Sequence, residues 1–104
     1  MSSFEYLNSE VEKYLGGDRS CVAELFEDEG VFNQLVALGK DGDWFHYQSK
    51  TFDGWYLVKS GHNYEVYYQE RGGSGPKKIF GNLKAAAAYF YTESGYVRIK
   101  AART

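Results

Sequence analysis

The first fifteen residues place their apolar side chains at the spacing of an α-helix. The recurring positions are Phe4, Leu7, Val11 and Leu15. Most of the charged side chains between them fall on other faces, which is typical of a helix with one buried stripe. Gly16 and Gly17 follow, and a glycine in the left-handed conformation commonly ends a helix. The pattern predicts an amphipathic helix over residues 4–15.

The next segment begins at Asp18, a residue type that is favoured at helix N-caps. We expect a second helix from about residue 19 to 28 or longer, since Gly30 is a position at which it can stop. The apolar run at 31–38 continues the helical period, but it is also apolar on both faces, as a buried strand would be. Helix and strand both remain open for 31–38, and the period favours the helix.

The middle of the chain changes to a composition that favours strands. Aromatic and β-branched residues dominate 55–59 and 64–70, and residues 60–63 supply the glycine and asparagine of a hairpin turn. A strand over 44–49 is predicted before this hairpin, and a short strand over 77–80 after it. Side chains alternate between two faces along 64–70. We expect one row to lie under a helix and the other face to be partly exposed to water and rich in tyrosine and charge.

A last helix is predicted over 82–93. Asn82 can cap its start, and the four alanines at 85–88 let a helix approach a sheet closely. Residues 96–100 follow as a candidate final strand.

Together these elements predict an α+β fold in a single domain, 1–104. Its sheet is an antiparallel meander of three to five strands over about 44–80, with 96–100 as an optional member. The N-terminal helices and the C-terminal alanine-rich helix are expected to pack on this sheet, because a sheet needs an apolar cover.

The net charge of −2 hides an uneven distribution. Residues 1–70 carry 13 acidic and 5 basic side chains, whereas 71–104 carry 1 acidic and 7 basic side chains. Such asymmetry can steer a charged partner or allow one part of the surface to pair with the other. Six carboxylates fall within twenty residues, and we predict that they bind a partner, with the adjacent Trp44 as an aromatic anchor. They are Glu24, Glu27, Asp28, Glu29, Asp41 and Asp43. The alternative is a solvated acidic face without function.

Residue types that support catalysis or metal binding are scarce. The chain has one cysteine, Cys21, and two histidines, His46 and His62, at no spacing typical of a metal site. We interpret Cys21 as a small buried apolar residue, His46 as a hydrogen-bonding residue within the sheet, and His62 as a solvated turn residue. The sequence therefore predicts no metal, no cofactor and no enzymatic activity.

The single cysteine also bears on location. It cannot form an intramolecular disulfide, which is typical of cytosolic proteins. The N-terminal residues contain neither a basic segment nor an apolar run of the kind found in signal peptides. We expect a cytoplasmic protein that does not associate with membranes.

The second half of the chain resembles the small bacterial immunity proteins of contact-dependent growth inhibition and related polymorphic toxin systems. The resemblance is carried by Gly-Trp-Tyr at 54–56, Tyr-Glu-Val-Tyr-Tyr-Gln-Glu-Arg-Gly at 64–72, and Phe80 followed by Leu-Lys-Ala-Ala-Ala-Ala-Tyr-Phe at 83–90. It implies a cytoplasmic inhibitor without enzymatic activity. Such an inhibitor binds the C-terminal toxin domain of its cognate effector, often a nuclease acting on tRNA or DNA, and blocks its active site.

A nucleic-acid-binding module is the alternative function. It would use the basic C-terminal third, and its affinity should fall steeply with salt concentration. The basic residues are Arg71, Lys77, Lys78, Lys84, Arg98, Lys100 and Arg103.

Overall fold

The computed structural model describes residues 1–71 and 73–98, and these form an α+β fold. A mixed, mostly antiparallel sheet of five short strands carries helices on one face. The predicted fold class is therefore confirmed. Within the described ranges, no helix is long and apolar enough to cross a membrane.

Helix α1 spans Ser3–Leu15, as the apolar period predicts. Its start is a capping box: the Ser2 hydroxyl accepts from the Glu5 amide at 3.0 Å, and the Glu5 carboxylate accepts from the Ser2 amide at 2.9 Å. The helix ends at Gly16, whose φ of 63° is the left-handed conformation expected there.

The segment after Asp18 forms a 3₁₀ helix, Arg19–Phe26, which is tighter and shorter than the predicted helix over 19–28. Asp18 caps it by accepting from the Ser20 amide at 3.0 Å. Helix α2 then spans Gly30–Leu38. Residues 31–38 are thus helical, and Phe32 and Leu35, three residues apart, are the positions that this helix buries.

Strands β2 (Gly54–Ser60) and β3 (Asn63–Glu70) form the predicted hairpin. Ser60 pairs with Asn63, and Gly61 adopts the positive φ, 64°, that the tight turn requires.

Strand β1 differs from the prediction in length and direction. It contains only Phe45–His46 rather than 44–49, and it runs parallel to β2. Several hydrogen bonds hold the loop that follows and position the chain for the start of β2. Gln69 Nε2 donates to the carbonyls of Lys50 and Phe52 at 2.9 and 3.1 Å, and the Tyr56 hydroxyl donates to the Phe52 carbonyl at 2.6 Å. The sheet is consequently mixed, not a pure meander.

Two short strands share the far edge of β3. Strand β4 (Gly73–Ser74) pairs with the end of β3, and strand β5 (Lys78–Phe80) pairs with its start. The prediction of a strand over 96–100 is wrong where it can be assessed, because Tyr96–Arg98 form a 3₁₀ turn. Residues 99 and 100 lie outside the described residues.

Helix α3 spans Leu83–Glu93 and covers one face of the sheet. Asn82 caps it, as predicted, by accepting from the Ala85 amide at 2.8 Å. Ala86 and Ala87 are fully buried, and their small side chains let the helix lie close to the sheet. The main core occupies this interface together with the N-terminal helices.

The opposite face of the sheet is partly exposed along β3, at Asn63 and Glu65, but Tyr67 and Gln69 on the same face are buried. Tyr56, Val58 and Tyr67 form a second apolar cluster there. The Tyr56 ring stacks between His46, at 4.6 Å, and Tyr67, at 4.9 Å between ring centroids. Lys77 lies over Tyr67 with its Nζ 4.8 Å from the ring centroid. Loop contacts and this lysine, rather than a helix, exclude water from that cluster.

Candidate protein-binding surface

The seven residues predicted to bind a partner lie in two separate groups. Glu24, Glu27, Asp28 and Glu29 form one group, named here the acidic cluster. Asp43 and Trp44 line a cleft at another position, named here the aromatic cleft, and Asp41 lies nearby in sequence.

The two groups contact opposite ends of β3. Glu29 accepts a hydrogen bond from the Tyr64 hydroxyl, whereas the Trp44 ring packs against Tyr68, 5.8 Å between centroids. Four residues of extended strand separate those tyrosines by about 13 Å. The six carboxylates that are close in sequence therefore do not form one continuous patch.

Two lysines are paired within the acidic cluster. Glu27 accepts from Lys84, and Glu29 lies 3.0 Å from the Lys59 ammonium. The hydrogen bond from Tyr64, followed by that from Lys59, lowers the pKa of Glu29. The bond to Glu27 raises the pKa of Lys84. Counting only the described part of the chain, the cluster has four carboxylates and ion pairs with two ammonium groups.

A polar cleft of about 530 Å³ lies beside the acidic cluster. Residues 27–29, the hairpin turn at Gly61 and His62, and the start of α3 at Asn82 form its walls. Asp28 accepts from the Gly30 amide at 2.8 Å and so holds the start of α2, while its side chain remains exposed. Burial, and then the contact with Glu29, raises the pKa of Tyr64 to about 12. This hydroxyl is a hydrogen-bond donor at neutral pH.

The aromatic cleft has a volume of about 410 Å³. Its lining residues are Ser3, Phe4, Asp43, Trp44, Phe45 and Ser94. Trp44 is 53% exposed and Phe4 is 41% exposed, so two large aromatic rings of one cleft face solvent. Exposed aromatic rings at a cleft are typical anchors for partner proteins.

Packing and hydrogen bonds fix the cleft from beneath. Phe4 contacts Phe45 and Tyr96 edge to face, with centroids 6.0 and 5.9 Å apart. Asp43 accepts from the Lys40 amide at 2.8 Å and from the Ser3 hydroxyl at 3.3 Å. The carboxylate is thereby held in place at the rim.

The basic C-terminal third pairs with acidic residues of the preceding part. Lys77 lies 3.6 Å from Glu65, and Lys84 pairs with Glu27. Lys78 lies over the Tyr89 ring at 5.9 Å. Ion pairs within the molecule thus neutralise part of the charge asymmetry. Lys100 and Arg103 lie outside the described residues.

The residues considered for catalysis or metal binding are dispersed. Cys21 is half-buried rather than buried, because it lies on the exposed side of its 3₁₀ helix, where Sγ is 3.5 Å from an Asp18 carboxylate oxygen. His46 is buried, and its Nε2 donates to the Asp53 carbonyl at 3.1 Å. His62 is exposed in the turn. In residues 1–71 and 73–98, no group of three or more His, Cys, Asp or Glu side chains is arranged to hold a metal ion.

Four residues of the aromatic cleft were not predicted from the sequence to bind a partner: Ser3, Phe4, Phe45 and Ser94. Phe4 belongs to the apolar stripe of α1 and was expected in the core, but it lies in the first turn, at the edge of the packed layer. Ser94 follows the end of α3, and no local signal marks it. Only the three-dimensional arrangement brings both beside Trp44.

Comparison with known proteins gives no match: no family model, no curated protein and no solved structure is significantly similar to this chain. Function must therefore be inferred from the two surfaces and from the resemblance in pattern.

Proposed function

We propose that this chain is a cytoplasmic immunity protein that binds and neutralises the toxin domain of a cognate secreted effector. The observation that carries the proposal is the acidic cluster, in which, among the residues that the structure describes, a group of four carboxylates forms ion pairs with two lysines. A nuclease must bind the phosphate backbone of its substrate through basic side chains. An acidic surface can cover such a site by presenting negative charge in place of phosphate.

The ion pairs of the acidic cluster do not prevent this role. Lys59 and Lys84 are both about half exposed, with side-chain exposures of 47% and 44%. Exposed ion pairs contribute about 0–1 kcal/mol, so a basic partner can displace these lysines at little cost. Glu24 and Asp28 form no ion pair within residues 1–71 and 73–98, and their charges supply long-range attraction, which raises association rates more than it slows dissociation.

The aromatic cleft supports the same function. Trp44 offers a large ring with low conformational entropy, and such rings often carry most of the binding energy at an interface. In the proposed complex, the acidic cluster accelerates encounter and Trp44 slows dissociation.

Co-expression tests the proposed function directly. The C-terminal domain of a large secreted protein encoded immediately upstream of this chain is expressed in bacteria from an inducible promoter. We expect growth arrest that this chain relieves. A domain that arrests growth equally with and without this chain contradicts the proposal.

Association kinetics test the role of the acidic cluster. The double substitution Glu24→Gln and Asp28→Asn removes two charges and keeps an oxygen that can accept from Gly30. We expect the association rate constant with the toxin domain to fall about ten-fold at low salt, and much less at high salt. The control, Glu10→Gln with Glu12→Gln, removes two charges from α1 and should change the rate less than two-fold. Equal effects of the two variants would exclude local steering by the acidic cluster.

A further inference from the structure

We propose that the aromatic cleft binds an arginine side chain of a protein partner. The guanidinium lies against the rings of Trp44 and Phe4 and donates to the Asp43 carboxylate. This inference rests on the proposed function only in taking the partner to be a basic protein.

The aromatic lining favours a cation. Phe4, Trp44 and Phe45 contribute three rings to a cleft of about 410 Å³, a volume within the range of about 300–1,000 Å³ that ligand pockets occupy. A cation over an aromatic face is attracted by the electron density of the ring, and tryptophan attracts it most strongly. Trp44 is the more exposed of the two solvent-facing rings, at 53%, and Phe4, which the Arg19 guanidinium already approaches, is 41% exposed.

The polar atoms of the cleft match a group that only donates hydrogen bonds. Asp43 has no ion-pair partner within residues 1–71 and 73–98, although the Lys40 amide and the Ser3 hydroxyl orient it. The Ser94 hydroxyl oxygen is buried and has no hydrogen-bond partner in the described part of the chain. A guanidinium carries five N–H donors and no acceptor, so it suits a cleft whose free polar atoms are oxygens.

Arginine fits this combination better than lysine. Its guanidinium is planar, weakly hydrated and able to stack on a ring while its edge donates to a carboxylate. The molecule already contains one such contact beside the cleft. The Arg19 guanidinium lies 4.6 Å from the Tyr96 ring centroid and 5.8 Å from that of Phe4. Arg19 is also a positive charge close to the cleft, so an anionic occupant is a competing outcome that the experiment must include.

The experiment uses the full chain labelled with ¹⁵N and three short peptides at constant ionic strength. The peptides are acetyl-Gly-Arg-Gly-amide and its counterparts with citrulline, which is isosteric and uncharged, and with glutamate. We expect the arginine peptide to shift the Trp44 indole and Ser94 amide signals with a Kd on the order of 10 mM, as one cation–π contact and one charged hydrogen bond allow. The citrulline peptide should bind about five-fold more weakly.

Three variants identify the groups responsible. Asp43→Asn keeps an oxygen for the Lys40 amide and should remove the preference for arginine over citrulline. Asp41→Asn is the matched control: it removes the same charge two positions away, outside the cleft lining, and should keep the preference. Trp44→Ala should weaken binding of both peptides.

Several results would overturn the inference. They are equal affinity for arginine and citrulline, tighter binding of the glutamate peptide, shifts confined to residues 24–29, or no saturable shift at about 50 mM peptide. No toxin domain is present in this titration, so its failure is distinct from a failure of growth rescue.

Discussion

At the scale of single residues, Gly54 determines how β2 begins beside β1. Its φ of 136° is a conformation that side-chain-bearing residues rarely adopt, and a Cβ there would lie 2.4 Å from the Trp44 carbonyl oxygen. The Trp55 amide donates to that same oxygen at 2.8 Å. One glycine therefore allows the close approach that holds the Trp44 backbone at the aromatic cleft.

Substitution of this glycine should be costly. We expect Gly54→Ala to lower the free energy of unfolding by about 2–4 kcal/mol, since backbone strain and a steric clash add. Urea denaturation followed by circular dichroism measures the change. Gly42→Ala is the control, because a Cβ there has no heavy atom within 4 Å, and it should shift stability by less than about 0.5 kcal/mol. A loss of stability in Gly54→Ala as small as that in Gly42→Ala would contradict the predicted clash.

At the scale of elements, a pair of buried hydroxyls connects the end of β1 to α3. The hydroxyl oxygens of Tyr47 and Tyr91 lie 2.8 Å apart, and both side chains are buried. Strand β1 has only two residues in the sheet, so contacts beyond it must help to hold it. This hydrogen bond is one of those contacts.

A double-mutant cycle measures what the pair contributes. We expect Tyr47→Phe or Tyr91→Phe alone to destabilise the protein by about 1–3 kcal/mol, because each leaves one buried hydroxyl without a partner. The double variant should cost less than the sum of the single losses, since it leaves no unpaired group. Equilibrium unfolding in urea provides all three values. Strict additivity would indicate that the two hydroxyls do not interact.

Strand β1 also shows where sequence patterns lose information. The hairpin, the caps at Asp18 and Asn82 and the stop at Gly16 were predictable, because each depends on neighbours a few residues away. The parallel pairing of β1 depends on Gln69, which holds a loop about 17–19 residues earlier in the chain. Alternating side chains along 64–70 likewise show two faces but not what covers them, so the burial of Tyr67 was missed.

At the scale of the whole molecule, buried tyrosines make stability depend on alkaline pH. Burial raises the pKa of Tyr96 to about 12 and raises the pKa of Tyr47 and Tyr91 as well. The folded state therefore holds these phenolic protons more tightly than the unfolded state, in which a tyrosine has a pKa of about 10. The contribution of these tyrosines to the free energy of unfolding is fully present below about pH 10. It is lost as the pH rises towards the pKa values of the folded state.

Alkaline unfolding should follow. We expect the free energy of unfolding to be nearly constant, with respect to these groups, between pH 7 and 9, and to fall by at least about 1 kcal/mol by pH 11. Urea denaturation at each pH gives the stability, and tyrosinate absorbance reports ionisation. Tyr14→Phe, at a side chain that is 63% exposed, should leave the loss unchanged. Equal stability at pH 9 and 11 would contradict the assigned burial.

The distribution of charge was also only partly readable from the sequence. The sequence shows an acidic part, residues 1–70, and a basic part, residues 71–104. Ion pairs such as that of Lys84 with Glu27 show that side chains of the two parts contact each other in the folded molecule. The separation of Glu29 from Trp44 required the fold, because closeness in sequence says little about position on a sheet.

That separation has an evolutionary consequence. Three of the four acidic-cluster residues lie between the 3₁₀ helix and α2, whereas the aromatic cleft is lined by the first turn of α1, the start of β1 and the residue after α3. Substitutions at sites more than about 10 Å apart usually have independent effects. Residues of the acidic cluster can therefore be replaced during evolution while the aromatic cleft still binds the earlier partner, or the reverse. Under the proposed function, new toxin specificities arise by successive steps through intermediates that remain protective.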